Sequence, residues 1–406
     1  MAQHASQFTV NDNQRPRWMH WLNWGGRRLQ KLGIQVAPLN EASLLAAAQK
    51  QSQLNDWGDE SFRIGLQTLL TALNEEADLS LVGRLFLRSD LVRLLTNRLK
   101  IQETLKRHPE ILDTPIHRPL IIMGLPRTGT TFLQRLLAQD PQFRWLRLWE
   151  LLDPCPPPEQ DAPKPDPRIQ SAQKITQQYE TLAPAFNTTH FIGAQQPEEG
   201  NILFEHAFAT PLFELRAHVP SYRAWLRTQE MVSEYQYYRQ QLQLLSWHWP
   251  GRWLLKAPSH IWWLDALTQV FPDACIIQTH RDPCTVLPSI CSLATIARSI
   301  YTDQVDLHGI GQYWLEHLTA GYKRGRLFRK EVSTASICDV QYSELTQSPI
   351  ETVQAIYKFF GDQLDQVTEQ RMKQWLKANP QSKHGIHRYS LEQFGLTETE
   401  VKQQFP

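Results

Sequence analysis

The sequence predicts an α/β chain: a parallel sheet flanked by helices, with a helical N-terminal extension and a helical insertion. Three observations predict it. Short apolar runs recur at Leu120-Ile121-Ile122-Met123, at Trp253-Leu254-Leu255-Lys256 and across residues 274–279, as strands buried on both faces read. Each run is followed by a turn and a helical pattern, the alternation that produces parallel strands with helices on both faces. The 406 residues, 41% hydrophobic and 20% charged, suffice for one large domain with additions or for two domains.

Taken in order, residues 1 to about 38 place Trp18, Trp21 and Trp24 among Arg15, Arg17, Arg27 and Arg28. A segment packed back on the domain is the expected reading, with a membrane-surface or partner-binding arm as the alternative. From Asn40 to Arg107, stripes such as Leu66, Leu69, Leu70 and Leu73 predict three or four amphipathic helices. Pro109, Pro115 and Pro119 mark a linker, so the expected division is a helical region over 1–117 and an α/β domain over 118–406. After the first strand a helix starts near Thr130 and stops at Asp140-Pro141. The alternation of Arg144, Leu146 and Leu148 predicts a short second strand ending at Glu150.

The helical insertion is expected over about 153–249, opening on a Pro-rich stretch. It carries His190, Glu198, Glu199, Glu205 and His206 and is placed to serve as an acceptor-binding lid; any single one of these charges reads more simply as a solvated face. The α/β pattern resumes at Arg252 with a strand ending in Lys256, a turn through His260 and a helix over 261–271. The strand over 274–279 leads into His280-Arg281-Asp282-Pro283, with Asp282 as N-cap and Pro283 at the first helical position. A helix over 284–300, a strand over 336–341 and a helix over 349–360 complete the pattern.

The organising stretch is Gly124-Leu125-Pro126-Arg127-Thr128-Gly129-Thr130-Thr131. A glycine-bounded loop between strand and helix N-terminus turns converging N–H groups and the helix dipole toward an anion, so the fold is P-loop-like. A nucleotide triphosphatase has Lys after the second glycine; this chain has Thr130, and its cation is Arg127. Asp339 is the nearest candidate for a magnesium-holding carboxylate at a strand end. The loop therefore suits a phosphate-like group without a γ-phosphate and its ion, and no metal is expected. Arg127, Lys256 and Arg281 all fall just past strand ends, the edge at which such sheets bind ligands.

The loop resembles the 5′-phosphosulfate-binding loop of sulfotransferases that use PAPS (3′-phosphoadenosine 5′-phosphosulfate). Arg281 with Ser289 eight residues later resembles the 3′-phosphate element of that family. The resemblance covers residues 118–396, with gaps across the insertion. It implies that Arg127, Thr128, Gly129, Thr130 and Thr131 hold the phosphosulfate, that Arg281 and Ser289 hold the 3′-phosphate, and that Lys256 neutralises charge on the bridging oxygen. It also implies a general base, for which Glu150 and His260 compete. Glu150 resembles the Glu base of tyrosylprotein and several bacterial members; His260 stands four residues after Lys256, where cytosolic members place a His two after. Lys383, His384 and Gly385 resemble the C-terminal segment that closes over the cofactor.

The expected function is transfer of a sulfuryl group from PAPS, leaving 3′,5′-ADP, to a hydroxyl of a small apolar or aromatic acceptor. A P-loop kinase-like phosphotransferase and a non-catalytic nucleotide-binding protein are the alternatives. A net charge of +1 argues against a general nucleic-acid partner. Five Cys without CxxC spacing suggest a reducing compartment. The polar start MAQHASQFTVNDNQ has no signal-like apolar region, and no stretch is expected to reach transmembrane length. A cytoplasmic protein without stable membrane insertion follows as the expectation.

Overall fold

The computed structural model describes residues 16–34, 36–155, 165–185, 192–331, 337–380 and 389–405. Its sheet has five strands: β1 (Leu120–Gly124), β2 (Phe143–Trp145), β3 (Arg252–Lys256), β4 (Cys275–His280) and β5 (Ile337–Gln341). They lie in the order β2-β3-β1-β4-β5, and every pairing is parallel. β1 is central, with Ile122 opposite Lys256 on one side and Gly124 opposite Thr279 on the other. Three adjacent strands therefore end at one edge: Lys256 closes β3, and the turns after β1 and β4 carry Arg127 and Arg281.

Side chains alternate across the sheet, and each face has its own core. Ile121, Met123, Leu255 and Ile276 join the core that also holds Leu66, Leu94 and Val401. Leu120, Ile122, Leu254 and Ile277 pack with Val353, Ile356 and Tyr357 of helix Pro349–Phe360. The helices Glu41–Ser52, Phe62–Glu75 and Leu81–Arg107 thus share one core with the α/β part. The line drawn at residue 117 separates no two cores.

Three sequence expectations need correction. The second strand is only Phe143–Trp145, and Glu150 lies in the short helix Leu148–Leu152, where it accepts from the Arg147 backbone N–H as a capping residue. The helix expected over 261–271 is a 3₁₀ turn, Pro258–Trp262, followed by helix Leu264–Val270. Helix Pro283–Tyr301 does reach membrane-crossing length and apolarity, but 78% of that stretch is buried inside the fold. It is apolar because it packs on most sides, partly against helix Leu307–Glu331, which the sequence reading did not single out. The five cysteines are free thiols.

Candidate functional site

The loop after β1 is held open by unusual backbone. Gly124 has φ 144°, and a Cβ there would lie 2.6 Å from the Thr279 carbonyl oxygen. Gly129 caps the helix Thr130–Leu137 at φ 93°, where a Cβ would meet the Tyr342 ring at 2.9 Å. Between them Arg127 takes φ 68°, a left-handed conformation that costs a non-glycine residue about 1–3 kcal/mol. Thr128 pins this turn: its hydroxyl donates to the Leu125 carbonyl at 2.6 Å and lies 2.6 Å from the Thr279 hydroxyl.

The turn after β4 closes onto the same loop. Arg281 donates from Nη1 to the Arg127 carbonyl at 3.0 Å, and its guanidinium lies 4.0 Å from the Tyr342 ring centroid. Asp282 caps helix Pro283–Tyr301 by accepting from Cys284 N. Two turns into that helix, Ser289 accepts from Arg127 Nε at 2.9 Å. Arg127, Arg281 and Ser289, distant in sequence, thus form one cluster. Burial holds the Arg127 guanidinium below its usual range, and Arg281 pushes the same way. Two adjacent guanidiniums, one of them desolvated, are a seat for an anion.

Lys256 ends β3 and is wholly buried. Its Nζ lies 2.7 Å from Glu199 Oε1 and 3.4 Å from Thr131 Oγ1. Its carbonyl accepts from Gly200 N at 2.8 Å, which straps the insertion across the strand ends. The expectation of a buried strand-end Lys needing a partner is met by Glu199, one of the carboxylates read from sequence as a solvated face.

The two residues expected to compete as base lie elsewhere. Glu150 is fully buried, with Oε1 2.9 Å from Arg144 Nη2 and Oε2 accepting from Arg147 N at 3.0 Å. Both oxygens are engaged and neither faces the cavity described below. It is the partner of Arg144 and Arg147 and is set apart from the cavity. His260 is also fully buried, 2.6 Å from the Tyr235 hydroxyl through Nδ1 and ringed by Phe204, Tyr235 and Tyr238. Burial lowers its pKa to about 3. It is a core histidine. Asp339 is likewise taken. Burial alone would raise its pKa, but hydrogen bonds from Arg329, at 2.6 and 2.7 Å, and His280, at 2.6 Å, hold it well below the usual carboxylate range. Lys383, His384 and Gly385 lie outside the described residues.

A cavity of about 620 Å³ joins these groups. At one end Arg127, Gly129, Thr130, Thr131 and Arg281 meet Phe132, Tyr342 and Trp375; Phe132 and Trp375 have ring centroids 5.9 Å apart. Most of the remaining lining is apolar, with Asp90, Arg93, Glu205 and Arg216 among it. Ile290, Leu293, Ala297 and Ile300, at helical spacing on Pro283–Tyr301, line it together with Leu148, Leu152 and Ile175. Among the described residues, Trp262, Trp314 and Trp375 line the cavity. Asp90 and Arg93 also line it, so the N-terminal helices contribute to its wall. Their sequence carried no sign of this, because two charges on a long helix look like any solvated pair.

His317 lines the cavity against Trp262 and lies 3.6 Å from the buried Glu214. Burial raises the Glu214 carboxyl to about 8, despite Arg223, Arg227 and Arg298. A raised carboxyl pKa contributes stability that is complete below the unfolded value near 4.5 and lost as pH rises through about 8. Glu214→Gln should therefore flatten a fall in unfolding free energy between those values. Denaturant melts of both proteins across that pH range check it; identical slopes would contradict it.

The sequence matches the sulfotransferase family over residues 119–366. The crystal structure of sulfotransferase STF1 from Mycobacterium tuberculosis is similar, at 34% identity over 90% of this chain and 98% of that one, with a TM-score of 0.81. That of sulfotransferase STF9 from Mycobacterium avium is 29% identical over 91% of this chain and 95% of that one, with a TM-score of 0.83. No curated protein sequence gives a match.

Proposed function

The chain belongs to the sulfotransferase family, and on that premise we propose that it transfers a sulfuryl group from PAPS to a hydroxyl of a small, largely apolar acceptor in the cytoplasm. The observation that carries this reading is the junction of the two anion-binding elements. Arg127 of the first loop is bonded through its side chain to Ser289 and through its carbonyl to Arg281. One donor with phosphates at both its 5′ and 3′ positions accounts for that pairing; a triphosphate chain does not. In this proposal the loop N–H groups, Arg127, Thr130 and Thr131 hold the phosphosulfate, Arg281 and Ser289 hold the 3′-phosphate, and the Phe132–Trp375 end receives the adenine.

Lys256 meets charge developing on the oxygen between phosphorus and sulfur. In the transfer that oxygen's bond to sulfur breaks, a bond from the acceptor oxygen to sulfur forms, and the acceptor proton leaves. Glu199 takes that proton, being the carboxylate at the cavity beside Lys256. The apolar stripe of helix Pro283–Tyr301 receives the body of the acceptor.

Transfer of radiolabel from PAPS to components of a metabolite extract tests the activity. The donor assignment has its own test. Arg281→Ala and Ser289→Ala should weaken 3′,5′-ADP binding and leave adenosine 5′-phosphosulfate, which lacks the 3′-phosphate, nearly unaffected. Losing a charge-assisted hydrogen bond costs about 1.5–3 kcal/mol, enough for calorimetry to read. Equal weakening of both ligands would contradict the assignment.

A further inference from the structure

We propose that helix Arg17–Lys31 is a docking surface for an anionic lipid bilayer. Its inner side is fixed to the fold. Met19 and Asn23 are buried; Asn23 Nδ2 donates to Asp303 Oδ1 at 2.7 Å, and its Oδ1 accepts from Val82 N at 3.0 Å. Arg27 is ion-paired with the same Asp303. The outer side is apolar where a soluble surface would be polar. Trp18 is 45% exposed, Trp21 74%, Trp24 54% and Leu32 74%, with Leu22 between them. At 100° per residue, Trp18, Trp21, Leu22 and Leu32 form one exposed stripe, and Arg17, Trp24, Arg28 and Lys31 flank it. The Arg28 guanidinium lies 5.2 Å from the Trp24 ring centroid.

Charge complementarity selects the occupant. The helix carries Arg17, Arg27, Arg28 and Lys31 and no acidic residue, on a chain whose net charge is only +1. Tryptophans beside arginines on one helix face are the composition of a helix lying in the headgroup region, Trp at the acyl boundary and cations among the phosphates. Its 15 residues span about 22 Å, too short to cross a bilayer. Placement supports a lipid surface over a protein. Asp303, which anchors the helix, stands two residues beyond Tyr301, and Ile300 and Tyr301 line the apolar cavity. A bilayer under this helix lies beside the end of the cavity suited to apolar molecules.

The test is co-sedimentation of the full chain with vesicles of phosphatidylcholine alone and of equal parts phosphatidylcholine and phosphatidylglycerol. The chain should pellet with the anionic vesicles, much less with the neutral ones, and be released by high salt. Arg17→Glu/Arg28→Glu/Lys31→Glu and Trp18→Ser/Trp21→Ser should each weaken binding roughly tenfold or more. These side chains are exposed, so the melting temperature should stay unchanged; should a variant misfold, the anionic-against-neutral comparison on the parent still decides. No binding to anionic vesicles, or variants that bind like the parent, would overturn the proposal. So would concentration-dependent self-association abolished by Trp18→Ser/Trp21→Ser, which would make a second copy of the chain the occupant.

Discussion

Lys256→Met should lower turnover by roughly 100- to 1000-fold, the usual effect of removing one preorganised group that meets charge in a transition state. The side chains are similar in length, so the buried slot at the end of β3 stays filled while its charge is removed. Lys256 is placed by the strand itself, opposite Ile122 and 3.4 Å from Thr131 in the loop, so its position does not depend on a ligand. Binding of 3′,5′-ADP should suffer much less, because that product lacks the sulfuryl group whose departure builds the charge. Single-turnover rates and calorimetry on the same preparation separate the two effects. A loss of affinity as large as the loss of rate would reduce Lys256 to a binding residue.

Glu199→Gln should have an effect of similar size and a distinctive second signature. The amide keeps the shape but cannot take the acceptor proton, so turnover should fall by roughly 100- to 10,000-fold. The substitution also leaves Lys256, which is fully buried, without its carboxylate 2.7 Å away. Stripping a buried charge of its partner costs about 3–5 kcal/mol, and an anionic donor at the loop restores compensation. The variant should therefore melt lower than the parent, bind 3′,5′-ADP more tightly and gain more melting temperature from it. Glu150→Gln and His260→Asn should instead reduce stability with a mild effect on rate per folded molecule, since both side chains are locked away from the cavity. Retained turnover in Glu199→Gln, with loss in Glu150→Gln or His260→Asn, would reverse the assignment.

The loop after β1, the capped turn at Asp282 and the strand ends bearing Arg127, Lys256 and Arg281 were legible in sequence because local rules fix them: glycine at strained turns, Pro after an N-cap, apolar runs in a buried parallel sheet. What sequence reading lost lies in tertiary pairing. Glu150 and Glu199 are both carboxylates in the chain, the first expected at the end of a short strand and the second on the helical insertion. Only the fold shows that the first is consumed by Arg144 and the Arg147 backbone, and that the second returns across the sheet to Lys256. The place of His260 is tertiary for the same reason: a His near a strand-end Lys says nothing of the Tyr235 hydroxyl and the rings that enclose it. Trp375 sits on helix Gln366–Ala378, which the sequence reading did not single out, and meets Phe132 across nearly the whole α/β region.

Nucleotide selectivity, measured by calorimetry, tests the central claim without knowledge of the acceptor. A site built from Arg127, Arg281 and Ser289 for a donor phosphorylated at both 5′ and 3′ positions should bind 3′,5′-ADP strongly, bind ATP weakly, and show the same order with and without magnesium. Preference for ATP that depends on magnesium would contradict the account and point to phosphoryl transfer.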